Sequence, residues 1–259
     1  MEIAGYIASV FIGISLGLIG GGGSVLTIPI LVYLFHIEPM LATAYSLFIV
    51  GMTSAAGVFQ KWNKEEINFR VALKFGLPSL LTVYLLRNFF IPYIPDLIFQ
   101  NEWIRIQKGP LMLILFSLLM ISAAIGMLKP REISRPVLPE TQGLVVLGIS
   151  VGFVSGLLGA GGGFIIIPAL IFYASLDIKT AIGTSLVIIA LNSLVGFLGD
   201  VQHYTIVWTD LLSITILGIS GSFIGHWLSG RLPGHKIKKI FGWFILFTGI
   251  FIFCKELFF

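Results

Sequence analysis

Residues 18–31 read LIGGGGSVLTIPIL, with four consecutive glycines, Gly20, Gly21, Gly22 and Gly23, inside an otherwise apolar stretch. A glycine costs about 1 kcal/mol against alanine in a helix interior, so a run of four ends a helix rather than continuing one. The stretch recurs. Moved along by 139 residues it lies over LLGAGGGFIIIPAL (157–170), and Leu18/Leu157, Gly20/Gly159, Gly22/Gly161, Gly23/Gly162, Ile28/Ile167, Pro29/Pro168 and Leu31/Leu170 coincide. The same offset matches Gly13 with Gly152, Gly17 with Gly156, Ala42 with Ala181, Ser46 with Ser185, Ser54 with Ser193 and Gly57 with Gly196 without a gap. The chain is a tandem duplication, with a first membrane repeat over 1–128, a linker over 129–140 and a second repeat over 141–259.

Composition sets the medium. The chain has 259 residues, 57% hydrophobic and 11% charged, with a mean hydropathy of +1.01, whereas soluble domains carry about 25% charged residues. An integral membrane protein is expected, with the lipid bilayer as its solvent. No basic run precedes the first apolar segment and no small-residue cleavage pattern follows it, so that segment is expected to stay in the fold. A single cysteine, Cys254, excludes an internal disulfide framework. His36, His203, His226 and His235 have no ligand spacing among them, so neither a metal nor a cofactor is expected. The net charge of +4 reports which loops face the cytoplasm and not a nucleic-acid partner.

Each copy holds a glycine-broken segment, 3–35 or 142–174. Three spans of transmembrane length follow each, at 41–59, 69–91 and 110–128, then at 180–198, 206–228 and 240–256. A helix over 24–35 is about 18 Å long, short of the roughly 30 Å hydrocarbon layer, so the broken segments are read as re-entrant hairpins. Charge agrees: with hairpins, twelve of the sixteen Lys and Arg residues fall on one side, whereas single crossings divide them equally. The positive-inside rule then places both termini outside the cytoplasmic membrane and the linker inside. Three full spans per copy turn the second copy upside down. The expected fold is all-α, with two inverted-topology repeats, each a glycine-broken hairpin plus three transmembrane helices.

Non-helical backbone survives at membrane depth only when buried in protein or lining a polar cavity. Helical patterns resume near Ser24 and Phe164, so unpaired N–H groups and the positive ends of helix dipoles converge on the two glycine runs. That combination binds anions without a basic side chain, and glycine lets an oxyanion approach several N–H groups. The candidate site comprises Gly20, Gly21, Gly22, Gly23 and Ser24 in one copy, with Gly159, Ala160, Gly161, Gly162 and Gly163 in the other. Ser46, Thr53, Thr184, Ser185 and Asn192 on the following spans would complete its hydrogen bonds. The competing reading is close helix packing by small residues and interhelical bonding by the polar ones; it fits Gly13/Gly17 and Gly152/Gly156 better than the unbroken runs. Arg87 and Lys74 read as side chains snorkelling to the two interfaces. Segment 98–108, which contains Trp103, reads as lying along the outer interface.

The paired stretches GLIGGGG with Pro29 and GLLGAGGG with Pro168, together with AIGTSL at 181–186, resemble the sulfite exporter TauE/SafE family of membrane permeases. The resemblance covers nearly the whole chain. It implies transport of sulfite, organosulfonates or related small sulfur-containing anions by a non-enzymatic permease, compatible with a homo-oligomer. The first copy departs from the pattern, with Ala44-Tyr45-Ser46 where the second has Gly183-Thr184-Ser185, and the larger Tyr45 is expected to narrow the site. An anion channel would use the same loops. A membrane-embedded enzyme or assembly protein is weakened by the lack of a nucleophile, base and metal set in the spans.

Overall fold

The computed structural model describes residues 2–20, 22–62, 66–100, 105–128, 140–229, 231 and 234–258. Gly21, Trp103 and nearly all of the linker lie outside them. The helices are α1 (Glu2–Ile19), α2 (Thr27–Tyr33), α3 (Pro39–Trp62), α4 (Phe69–Leu85), α5 (Lys108–Leu128), α6 (Glu140–Leu158), α7 (Gly163–Tyr173), α8 (Ile178–Asp200), α9 (Trp208–Ser229) and α10 (Gly234–Phe258). A 3-10 turn, Gly22–Leu26, leads into α2, and a π-helical turn, Leu86–Phe90, extends α4. The segment expected along the outer interface contains two short antiparallel strands, β1 (Leu97–Gln100) and β2 (Arg105–Gln107).

Six of the described helices are long and apolar enough to cross a membrane. Five coincide with expected spans. The sixth is Thr141–Leu158, the first arm of the second broken segment, while the expected span 240–256 falls within α10. Outward side chains are apolar, as lipid requires: Leu73, Leu77 and Leu81, one turn apart on α4, are each more than half exposed.

The duplication is visible in the backbone. Gly20 and Gly159 share a positive φ of 64° and 71° and donate to Leu16 and Ser155, one turn back. His36 and Ser175, both non-glycine, also share a positive φ, just beyond α2 and α7. There the N–H groups of Ile37 and Leu176 return to the carbonyls of Leu31 and Leu170. Asp177 caps α8, accepting from the N–H groups of Lys179 and Thr180.

The copies exchange partners. α1 lies along α9, α6 along α4, α3 along α8 and α5 along α10. The contacts of α3 with α8 run in opposite order: Leu47 meets Gly196, Gly51 meets Leu194 and Gly57 meets Leu186. Those of α1 with α9 run in the same order, from Gly13 at Gly218 to Gly17 at Ser222, as do those of α6 with α4, from Gly148 at Phe75 through Gly152 at Ser79 to Gly156 at Val83. Glycine is required at these crossings because backbone meets backbone, in the manner of small-residue packing in membranes. A methyl on Gly13 would overlap the carbonyl oxygen of Gly218, and one on Gly221 the carbonyl oxygen of Val10.

Alanine at Gly13 or Gly221 is therefore expected to destabilise the protein by about 1–3 kcal/mol, the usual penalty of overpacking. Thermal unfolding in detergent checks this. An unchanged midpoint in both variants would contradict the close α1–α9 crossing.

Candidate functional site

The second break is built on glycine backbone that other residues adopt only with strain. After α6 ends at Leu158, Gly159, Gly161 and Gly162 all have positive φ, of 71°, 65° and 70°. Gly162 stands as the left-handed N-cap of α7, and its carbonyl accepts from Ile165 and Ile166. Residues 159–163 are buried throughout. A methyl on Gly161 would lie 2.8 Å from Val50 Cγ1 and 3.1 Å from Ser193 Oγ; one on Gly159 would lie 2.6 Å from Thr43 Cβ and 2.7 Å from Arg87 Nη2. This break leans on α3 and α8 and is closely packed.

Gly20, at the first break, faces the other end of the same two helices, where a methyl would overlap Ile182. A pocket of about 20 Å³ opens beside it, between Gly20, Thr53, Ser54, Gln60, Lys61 and His226. That is room for about one water, too little for an oxyanion without movement of the walls. Gly22 and Gly23 belong to the 3-10 turn, and Ser24 is buried within it.

The polar residues of the spans divide. The hydroxyls of Thr53 and Ser185 return to their own helix, donating to the carbonyls of Ile49 and Ile182. Thr184 Oγ1 accepts from the Asn68 N–H at 2.9 Å. The hydroxyl of its counterpart Tyr45, the residue expected to narrow the site, accepts from the Val207 N–H at 2.8 Å. Thr184 and Tyr45 thus play the same role, tying their spans to the chain entering α4 and α9. Asn192 Nδ2 donates to Ser79 Oγ at 2.6 Å. Several buried polar atoms lack a hydrogen-bond partner, among them Asn192 Oδ1, Ser46 Oγ, Ser193 Oγ and Ser155 Oγ. A methyl on Gly162 would meet Ser155, so Ser193 and Ser155 both border the second break.

One expectation is overturned. Arg87 does not snorkel to an interface: it is 0% exposed and sits in the π-helical turn that extends α4. Its Nε donates to the Gly156 carbonyl at 2.5 Å, and its Nη1 to Thr43 Oγ1 at 2.9 Å and to Asp200 Oδ2 at 2.7 Å. The physical reason is local. Arg87 finds a carboxylate that ends α8, 1% exposed, and an unpaired charge at that depth would be far costlier than the pair. Lys61 and His226 occupy the positions equivalent to Asp200 and Arg87 at the 139-residue offset. Both line the pocket beside Gly20, and Lys61 pairs with Glu66. Among the described residues no group of three or more His, Cys, Asp or Glu could hold a metal.

Residues 6–252 match the family described as the sulfite exporter TauE/SafE. The chain belongs to this family. A probable membrane transporter protein of Xylella fastidiosa is 30% identical over 250 residues, covering 93% of this chain and 90% of its own. The probable membrane transporter protein YdhB of Bacillus subtilis is 24% identical over 228 residues, 88% of this chain and 90% of its own. A third such protein, from Methanocaldococcus jannaschii, is 29% identical over 199 residues, 74% of this chain and 69% of its own. This TauE/SafE protein is thus a multi-pass membrane protein of a transporter family.

Arg87→Ala leaves Asp200 buried and unpaired, so a loss of about 3–5 kcal/mol of stability is expected. Replacing both, as Arg87→Met with Asp200→Leu, should recover most of it. Chemical unfolding in mild detergent measures both; an Arg87→Ala variant as stable as the wild type would refute the burial of this pair.

Proposed function

We propose that this TauE/SafE protein is a secondary transporter or facilitator that moves small sulfur-containing oxyanions, such as sulfite or organosulfonates, across the cytoplasmic membrane. In this reading the chain forms two inverted repeats, and each glycine-broken segment is a hairpin that turns back within the bilayer. The order of contacts supports the inversion, since the equivalent helices α3 and α8 run antiparallel. It supports the hairpins as well. Gly13 and Gly17 follow α9 in the same sense, and α9 follows α3 in the same sense, with Tyr45 at Val207 and Thr53 at Gly218. α1 and α3 therefore point the same way, and the chain between them must come back across.

The observation that carries the function is that the buried second break and the buried Gly20 of the first lean on the same antiparallel pair α3–α8 from opposite ends. An anion resting on the N–H groups of either break touches both repeats, so a rocking of one repeat against the other exposes it to each side in turn. The site residues of this reading are those of the two glycine runs, with Ser46, Thr53, Thr184, Ser185 and Asn192 on the walls. In this reading both termini and segment 98–108 lie on the outer side, and the basic linker faces the cytoplasm. The tight packing at Gly161 and the small pocket at Gly20 fit a state of the cycle closed around its centre.

Sulfite flux into proteoliposomes tests this reading. Wild-type protein is expected to carry sulfite at transporter rates. Gly161→Leu, where a side chain meets Val50 and a positive φ, is expected to insert normally and to abolish flux. Full flux in this variant would rule out the second break as the site, and unitary currents in a planar bilayer would show a channel instead.

A further inference from the structure

Arg87 is a fully buried charge that the glycine-break reading does not use. A guanidinium carries five N–H donors. Gly156, Thr43 and Asp200 engage Nε and Nη1, and Nη2 is buried with no partner. A purely structural arginine, buried to 0% exposure, would spend all its donors on protein. Nη2 instead lies 2.7 Å from where a Cβ on Gly159 would stand, so the unused edge abuts bare backbone at the second break. From there the chain leads into α7, an eleven-residue helix in whose first turn Ile165 and Ile166 donate to the Gly162 carbonyl, while the N–H groups ahead of them have no intrahelical acceptor. The free edge of Arg87 thus lies at Gly159, four residues before α7 begins at Gly163.

We propose that Arg87 is the counter-charge of the transported oxyanion: Nη2 and the N–H groups at the start of α7 hold the anion, and Asp200 neutralises Arg87 when the site is empty. This rests on the reading of the second break as an anion site and adds to it a residue that sets affinity. The chemistry suits the two N–H donors of Nη2, which offer charge-assisted hydrogen bonds to the oxygens of an SO₃ group. Asp200 is then a competitor as well as a partner. An incoming anion shares the guanidinium with it, and a resident carboxylate keeps affinity low enough for release. The first break differs. Its equivalents of Arg87 and Asp200 are His226 and Lys61, with Lys61 paired to Glu66, so the two breaks are not equal binders and one anion is held per chain.

The test uses the full chain in detergent with sulfite as the probe, read as the sulfite-induced rise in the unfolding midpoint and by calorimetry. Three proteins are compared: wild type, Asp200→Asn, and Arg87→Gln with Asp200→Asn, which removes both charges with little change in volume. The wild type is expected to bind one sulfite. The double variant is expected to keep its fold and bind about tenfold more weakly or not at all. Asp200→Asn, freed of the competing carboxylate, is expected to melt lower without sulfite and to gain a larger shift with it. Wild-type affinity in the double variant would overturn the role of Arg87 while leaving the transport reading intact. So would an equal or smaller shift in Asp200→Asn, which decides alone if the double variant does not fold. No response of the wild type to sulfite, thiosulfate or a small sulfonate would instead remove the anion reading itself, and the role of Arg87 with it.

Discussion

A peptide group in the hydrocarbon layer must have a partner, because an unpaired one there costs several kcal/mol. Two breaks in otherwise apolar helices therefore dictate much of this architecture. The second break and Gly20 of the first are buried against α3 and α8, the most buried of the six candidate spans. These two helices are in turn enclosed by α1 against α9 and α6 against α4, crossings tight enough that only glycine fits at Gly13, Gly148, Gly152 and Gly221. The glycines thus do two separate jobs. At the crossings they bring backbones together; at Gly159, Gly161 and Gly162 they supply positive φ for a chain that stops being helical.

The duplication is written in the sequence, and local features recur in the structure at the same offset, among them the left-handed His36 and Ser175. That is as physics dictates, since the same local string meets the same requirement to leave a short helix. Helix positions were legible because apolar length is a strong signal in a membrane protein. The partners of individual hydroxyls were not. Thr184 and Tyr45 look unlike each other, yet both accept an N–H from the chain entering a following helix. Oxygen in the right place is all that role needs, and a comparison of side-chain size misses it.

Arg87 was illegible for a different reason. An arginine near the end of an apolar span reads as an interfacial anchor whenever lipid headgroups are the only visible partner. Its actual partner, Asp200, lies 113 residues away and closes a helix of the other repeat. The usable signal was in the register, where Arg87 aligns with His226 and Asp200 with Lys61. Ionisable residues at matching positions in both copies, next to the matching glycines Gly156 and Gly17, mark a place the architecture brings to the breaks twice. The family to which the chain belongs agrees with a transport role, and the buried pair is the electrostatic centre we propose for it.

The claim that an oxyanion is held by bare backbone at a break in the helices is tested most directly by locating the anion itself. Selenite has the shape and charge of sulfite and a strong anomalous signal, so crystals grown with it report its position without reference to any variant. The account predicts an anomalous peak between Arg87 and the turn at 159–163. Selenite found only on exposed surface, with that turn still sealed against Val50 and Thr43, would contradict it.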